Sequence, residues 1–333
     1  MPRHGRINIE GGIYHVIQRG IERRDVFKDN ADREEFLRRL AEGLKQTGHK
    51  CYGWVLMPNH FHLLVRTSIN PLSDLMRKLS TGYALYFNKK YKRSGYLYQN
   101  RYKSILCQEE EYLLELVRYI HLNPIRAGLV KNLNELSNYR WSGHSVLMGK
   151  SNVDWQSAGE ILRRFGKIKS EAIKKYETYI SEARGIAKRE DLTGGGLIRS
   201  AGGWKEVLNL RRSNEKWLAD ERILGDGDFV GLILKQADEQ VIRKEKLKKE
   251  GWDMNKLVKR VCEIIGVDEK EIKRESRRSK LSQARSLIAY FGNKELGIRG
   301  VELARYFGIT KSSISSAIKR GYKIAHENEY RII

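Results

Sequence analysis

Two histidines separated by one residue stand in the run Pro58-Asn59-His60-Phe61-His62-Leu63-Leu64-Val65. Side chains alternate between the faces of an extended strand, so His60 and His62 project together, about 6–7 Å apart, and Phe61 points the other way. Such a pair can share one divalent ion; it is equally open to a structural role. A second set follows at spacings of four, three and four: Tyr112, Leu116, Tyr119 and Asn123 share one helical face ahead of Pro124. Tyr119 and Asn123 then place a phenol beside an amide oxygen. The same pair also suits a plain helix end, with Tyr119 packing and Asn123 satisfying backbone groups before the proline. His121 falls off this face and is not counted among the ligands. Joined, the two sets offer two neutral imidazoles and an amide oxygen, donors suited to Mg²⁺ or Mn²⁺ with positions left for phosphate oxygens. A phenol, with an ordinary pKa of about 10, needs such a neighbour before it can attack.

These residues have to be positioned by strands and helices, and the first 130 residues alternate between the two signals. Gly12 to Gln18 reads as a strand, Asp32 to Leu44 as an amphipathic helix that Asn30 or Asp32 could cap, and Cys51–Met57 and Phe61–Arg66 as two further strands. Leu72 to Tyr91 reads as a helix, Tyr96 to Leu106 as a strand, and Glu109 to Ile120 as a helix. The order β-α-β-β-α-β-α predicts an α+β fold, a ferredoxin-like antiparallel sheet with helices on one face. Residues 151–250 turn helical and polar, with glycine turns at 193–196 and 202–203, and read as an all-α connector with little chemistry of its own. Residues 251–333 form a further basic unit. The expected division is therefore 1–150, 151–250 and 251–333.

Composition limits what this assembly can be. The chain carries 64 Lys and Arg against 41 Asp and Glu, a net charge of +23 over 333 residues. An excess of that size marks a polyanion partner, because each cation set on a phosphate releases a counterion. Cys51, Cys107 and Cys262 are odd in number and widely spaced, so neither a disulfide framework nor a zinc pattern arises, as expected of a reducing cytoplasm. No apolar run approaches the roughly 18 residues of a membrane span, and the polar start is unlike a signal peptide.

The residues also carry a resemblance. His60-Phe61-His62 after Pro58-Asn59 resembles the HUH motif of single-tyrosine transposases. The likeness extends through Tyr14-His15-Val16-Ile17-Gln18-Arg19-Gly20, Tyr98-Gln99-Asn100-Arg101-Tyr102-Lys103-Ser104 and Tyr119-Ile120-His121-Leu122-Asn123-Pro124. It is nearest the REP-associated tyrosine transposases and covers about residues 5–145. That resemblance implies an HUH nuclease core acting on single-stranded DNA, often beside a hairpin. His60 and His62 become metal ligands and Tyr119 the nucleophile that forms a 5′-phosphotyrosine link, later resolved by a 3′-hydroxyl. Asn123, where many insertion-sequence relatives carry Gln, becomes a shorter third ligand. Arg19, Arg23, Arg24, Arg101 and Lys103 are candidate DNA contacts by charge and motif proximity, or ordinary solvated cations. The resemblance leaves both a monomer and a homodimer open. A domesticated, catalytically silent DNA-binding regulator is the alternative.

In the last unit, Val301 to Ile309 and Thr310 to Arg320 read as two helices joined by a glycine turn, the helix-turn-helix plan. Residues 255–321 resemble the DNA-binding domain of the replication initiator DnaA without its aspartate-histidine signature. Arg278, Arg285, Lys311, Ser312, Ser315 and Lys319 are the expected contacts to duplex DNA; a plain packing hairpin is the other reading.

Overall fold

The computed structural model describes residues 6–183, 220–273 and 279–332, and the chain divides into two compact units, 1–233 and 234–333. The glycine turns expected at 193–196 and 202–203, and Arg278, lie outside the described residues.

The first unit is built on β1 (Ile13–Arg19), α1 (Asn30–Thr47), β2 (Lys50–Met57), β3 (His60–Arg66), α2 (Leu72–Met76), α3 (Gly82–Lys90), β4 (Lys103–Cys107) and α4 (Glu109–His121). The strands lie in the order β2-β3-β1-β4, antiparallel throughout, which is the ferredoxin-like arrangement. Register follows from patterning: Ile17 faces His62 and Arg19 faces His60 across the β1–β3 ladder, so the odd residues of β1 share a side with the histidines. On the other side Phe36 of α1 packs against Phe61 and against Tyr83 of α3, with ring centroids 4.7 and 5.3 Å apart.

Helices on a single face were expected. The crossover helices α1 and α3 do share one face, but α4 covers the other, burying Leu113, Leu116, Val117 and Ile120 in a cluster with Ile13, Val55, Leu64 and Ile105. The physical reason lies in the strands: Ile13, Leu64 and Ile105 make the histidine side apolar over much of its length, and water cannot be left on it. The sheet is also mixed. Ile223–Leu224 (β5), expected within an all-helical connector, pairs parallel with Leu106 and Cys107 at the sheet's edge.

Local chemistry sets the remaining ends. Asp29, rather than Asn30 or Asp32, caps α1: it accepts from the Asp32 amide while Asp32 closes a capping box. The helix expected over 72–91 is interrupted by a π-turn at Arg77–Thr81. The strand expected from Tyr96 begins only at Lys103; before it the chain meets the end of β1 at one isolated antiparallel bridge, Gly20 to Tyr98, out of register with the β1–β4 ladder. Ile21 N–H donates to Leu97 O at 3.0 Å and Gln99 N–H to Arg19 O at 3.0 Å. Gly20 permits that path, since a Cβ there would collide with the Arg24 carbonyl.

Short helices follow at α5 (Asn123–Arg126), α6 (Leu133–Ser137), α7 (Gly143–Leu147), α8 (Ala158–Leu162) and α9 (Lys169–Glu182). Ile161, Leu162, Tyr176 and Ile180 enter the α4 core. Of the expected connector, then, residues 158–182 pack as part of the first unit.

Helix α10 spans Gly227–Lys249. The second unit contains α11 (Met254–Ile265), α12 (Ser279–Lys294), α13 (Gly300–Phe307) and α14 (Lys311–Glu327) around Leu257, Val261, Leu281, Leu287, Ile288 and Phe291. Gly308 in the left-handed conformation ends α13, and the Thr310 side chain accepts from Ser313 N–H to start α14. No helix of the described residues is long and apolar enough to cross a membrane.

A candidate tyrosine–histidine active site

β3 delivers His60 and His62 to the side of the sheet that α4 covers, and α4 delivers Tyr119 to the same place. The His60 and His62 ring centroids are 5.2 Å apart, and the Tyr119 ring stands edge-on to His62 at 6.1 Å. The two sets of residues legible in the sequence are thus neighbours in space. Tyr119 is 7 % exposed, His62 is buried, and His60 is half-buried at the start of its strand.

Both imidazoles are held neutral. Burial, with the Arg19 charge second, drives the His60 pKa down to about 4. Burial, then His15, His60 and Arg19, drives His62 well below the ordinary value. Neutral imidazoles are what a metal ligand must be. Burial pushes the Tyr119 phenol up, while Arg126 and Arg19 pull it back down.

Three partners were not singled out from sequence. His15, wholly buried on β1, lies with its Nε2 2.9 Å from His62 Nδ1, and its ring also meets Tyr119 edge-on at 5.9 Å. Asn59 places Oδ1 2.6 Å from His60 Nδ1 while its amide donates to Arg23 O at 3.0 Å. Arg126 donates from Nη1 to Tyr119 O at 3.2 Å and holds its guanidinium carbon 5.1 Å from the centre of the Tyr119 ring. His15 comes beside His62 through the strand register, since a histidine two residues before Ile17 falls next to His62 once Ile17 pairs with it.

Asn123 does something different from its companions. Its amide donates to the Tyr119 and Ile120 carbonyls at 3.1 and 3.4 Å, closing the end of α4. Nor does a carboxylate join the histidines: among the described residues no group of three or more His, Cys, Asp or Glu stands ready to hold a metal. The donors whose chemistry suits a divalent ion are therefore His60 and His62, and its oxygen ligands would have to come from elsewhere.

The expected DNA contacts divide. Arg19, Arg23, Arg24, Arg101 and Lys103 are all exposed, and Arg19 sits opposite His60. Arg24 pairs with Glu22 at 2.7 Å. On the loop bonded to the end of β1, Tyr96 is 84 % exposed. In the second unit Ser312 and Ser315 are exposed and Lys319 is half-buried on α14. Arg285 donates to Ile272 O at 2.7 Å, tying α12 to the preceding turn. The Lys311 side chain lies outside the described residues. A polar cavity of about 240 Å³ lined by Tyr52, Glu109, Glu160 and Arg164 is a separate feature. It gathers at the Arg66 end of β3, roughly 20 Å along the strand from His60, where Glu109 pairs with Arg66 and Arg164 and Glu160 pairs with Lys50.

An α+β domain that sets a tyrosine from a helix against two histidines on a central strand defines the class of the first unit. The family model for the IS200-like transposases ("Transposase IS200 like") matches residues 8–123, a stretch that holds His60, His62, Tyr119 and Asn123. Among solved structures, one described as "Structure of the REP associates tyrosine transposase bound to a REP hairpin" is similar at 20 % identity. It covers 47 % of this chain and 92 % of that one, with a TM-score of 0.37. No curated protein matches the chain.

Proposed function

We propose that the chain is a DNA transposase of the single-tyrosine kind, cleaving and rejoining single-stranded DNA beside a hairpin. The observation that carries this reading is the meeting of Tyr119 with His62, which stands beside His60, brought from separate elements within a stretch that matches the IS200-like transposase family. His60 and His62 would hold Mg²⁺ or Mn²⁺, which when bound would polarise a phosphate and stabilise charge developing on it. Tyr119 Oη attacks the phosphorus, forming a 5′-phosphotyrosine bond and releasing the 3′-oxygen as a hydroxyl. Attack by a 3′-hydroxyl then breaks the tyrosine–phosphorus bond and reseals the strand. The phosphodiester energy is kept in the covalent link, so no nucleotide cofactor is consumed.

The exposed cations at the end of β1 and on the neighbouring loop would seat the backbone, and Tyr96 offers a face for an unpaired base. Asn123 acts as a third ligand only by way of its remaining amide oxygen. The second unit would bind duplex DNA through α14, whose Ile314, Ala317 and Ile318 are buried and whose Ser312 and Ser315 face outward. The chain is expected to act in the cytoplasm as a monomer or homodimer.

The test is a denaturing gel of purified protein with labelled hairpin DNA and Mg²⁺ or Mn²⁺, using hairpins from the DNA flanking its own gene and a random pool. A covalent adduct is expected that EDTA abolishes. DNA binding without any adduct, in either metal, would leave a silent regulator.

A further inference from the structure

The side chains behind the two histidines decide which nitrogen of each ring is free. The Arg23 carbonyl can only accept, so Asn59 must present its NH₂ there at 3.0 Å. Its Oδ1 is then the atom 2.6 Å from His60 Nδ1. A carboxamide oxygen can only accept, which puts the His60 proton on Nδ1 and leaves Nε2 as a bare lone pair. His62 engages the same atom: its Nδ1 lies 2.9 Å from His15 Nε2, and the two rings stack with centroids 5.2 Å apart and planes 21° apart. Two independent elements, the turn before β3 and the strand β1, thus occupy the Nδ1 of both histidines.

The geometry points to His15 and Asn59 as positioning residues that lock His62 and His60 in the Nδ1–H tautomer, so that both Nε2 atoms face a divalent ion as ready acceptors. At the His15–His62 contact, where the 2.9 Å separation serves either direction, the lock requires that His62 donate and His15 accept. The opposite direction would place a proton on His62 Nε2 and block it as a ligand. A neutral histidine in water prefers the proton on Nε2, so without these partners each ring would have to change tautomer before binding. Ring orientation is fixed at the same time, because each ligand is held at its far side. Neither residue touches the substrate; both act through the histidines. The inference rests on the reading that His60 and His62 hold the ion.

The experiment uses the full chain, metal-free at pH 8, with ¹⁵N-labelled imidazoles; the protein has eight histidines, assignable by substitution. Two-bond imidazole correlations in the wild type are expected to show His60 and His62 with pyrrole-type Nδ1 and pyridine-type Nε2. His15→Ala should move the His62 proton towards Nε2, and Asn59→Ala should do so for His60. Each should weaken Mn²⁺ binding, read by titration calorimetry, about tenfold or more. Asn59→Asp keeps the acceptor and loses the donor to Arg23 O, so it should retain the His60 tautomer, separating the lock from simple anchoring of the turn. A wild-type proton on His62 Nε2, or tautomers and Mn²⁺ affinity untouched in both alanine variants, would overturn the proposal. The locked tautomers in a protein that binds no Mn²⁺ would uphold the lock and remove the metal reading instead.

Discussion

Tyr119 is a phenol whose surroundings oppose the form it would need as the proposed nucleophile. Burial raises its pKa, and only the Arg126 and Arg19 charges work the other way. Adduct formation should therefore accelerate as pH rises through neutrality and beyond. Tyr119→Phe should abolish the adduct and leave hairpin affinity within about twofold, since a single hydroxyl contributes little to a backbone-dominated contact. Arg126→Ala removes both the cation and the bond to Tyr119 O. Its pH–rate curve should shift to higher pH, with the rate near neutrality falling about tenfold, equivalent to about 1.4 kcal/mol; an unshifted curve would show the charge irrelevant to the phenol. Tyr96→Ala should weaken single-strand binding by about 1–3 kcal/mol if a base stacks there, whereas Tyr96→Phe should not. At this scale, the pairing of His60 with His62 could be read from alternation, and the reach of Tyr119 from helical spacing. His15 could not be read so, because its contact depends on the long-range register that sets Ile17 against His62. Arg126 lies beyond Pro124, where the helical face that grouped Tyr112 with Asn123 ends and a new short helix begins.

The elements that hold the tyrosine helix extend past the residues that carry the chemistry. At the end of α4, His121 Nδ1 lies 2.9 Å from the Tyr176 hydroxyl, and His144 Nδ1 lies 2.7 Å from the same oxygen. One hydroxyl proton serves two imidazoles, so one ring accepts from it and the other donates to it. This joint binds α4 to α7 and α9, and all three side chains are buried. Burial holds the His144 pKa at about 4 against an ordinary 6.5. The unfolded chain then takes up a proton below about pH 6.5 that the folded chain refuses, so stability is full above that value and falls as pH drops towards 4. The slope should be about 1.4 kcal/mol per unit for this group, with His121, also held low, adding to it. Thermal melts from pH 7 to pH 4 should show the decline, and His144→Gln should make it shallower, since His60, His62 and His121 still resist protonation; an equal decline in the variant would place the titration elsewhere. Most of the elements around this joint were legible, since α1, β2, β3 and α4 follow apolar periodicity. The exceptions were set by tertiary contacts. β5 is two residues long and exists because β4 leaves an open edge, and ahead of β4 the chain meets the end of β1 only at the Gly20–Tyr98 bridge, with Leu97 O and Gln99 N–H bonded to Ile21 and Arg19.

Charge is the property that belongs to the whole chain, and a net of +23 predicts steep salt dependence for any nucleic acid it holds. Under the proposed reading the two compact units would hold different DNA forms. In the second, Gly321 of α14 lies so close to the Ser286 carbonyl of α12 that a Cβ would clash with it. The helices therefore pack backbone to backbone, and α14 is held by its Ile314, Ala317 and Ile318 side. Its outward side carries Ser312, Ser315 and Lys319. If that side meets a duplex, replacing all three with Glu should weaken duplex binding at fixed salt. The Lys319 change should also reduce the slope of log K against log salt by about 1 when the lysine neutralises one phosphate. Adduct formation on a minimal hairpin, which under the proposed mechanism depends on Tyr119, His60 and His62, should be unchanged in the same variant. Loss of both activities together would mean that the two units grip one continuous DNA, and loss of neither would leave α14 with a merely solvated face. Circular dichroism of the variant distinguishes these from unfolding, because the substituted side chains are not among those that form the second unit's core.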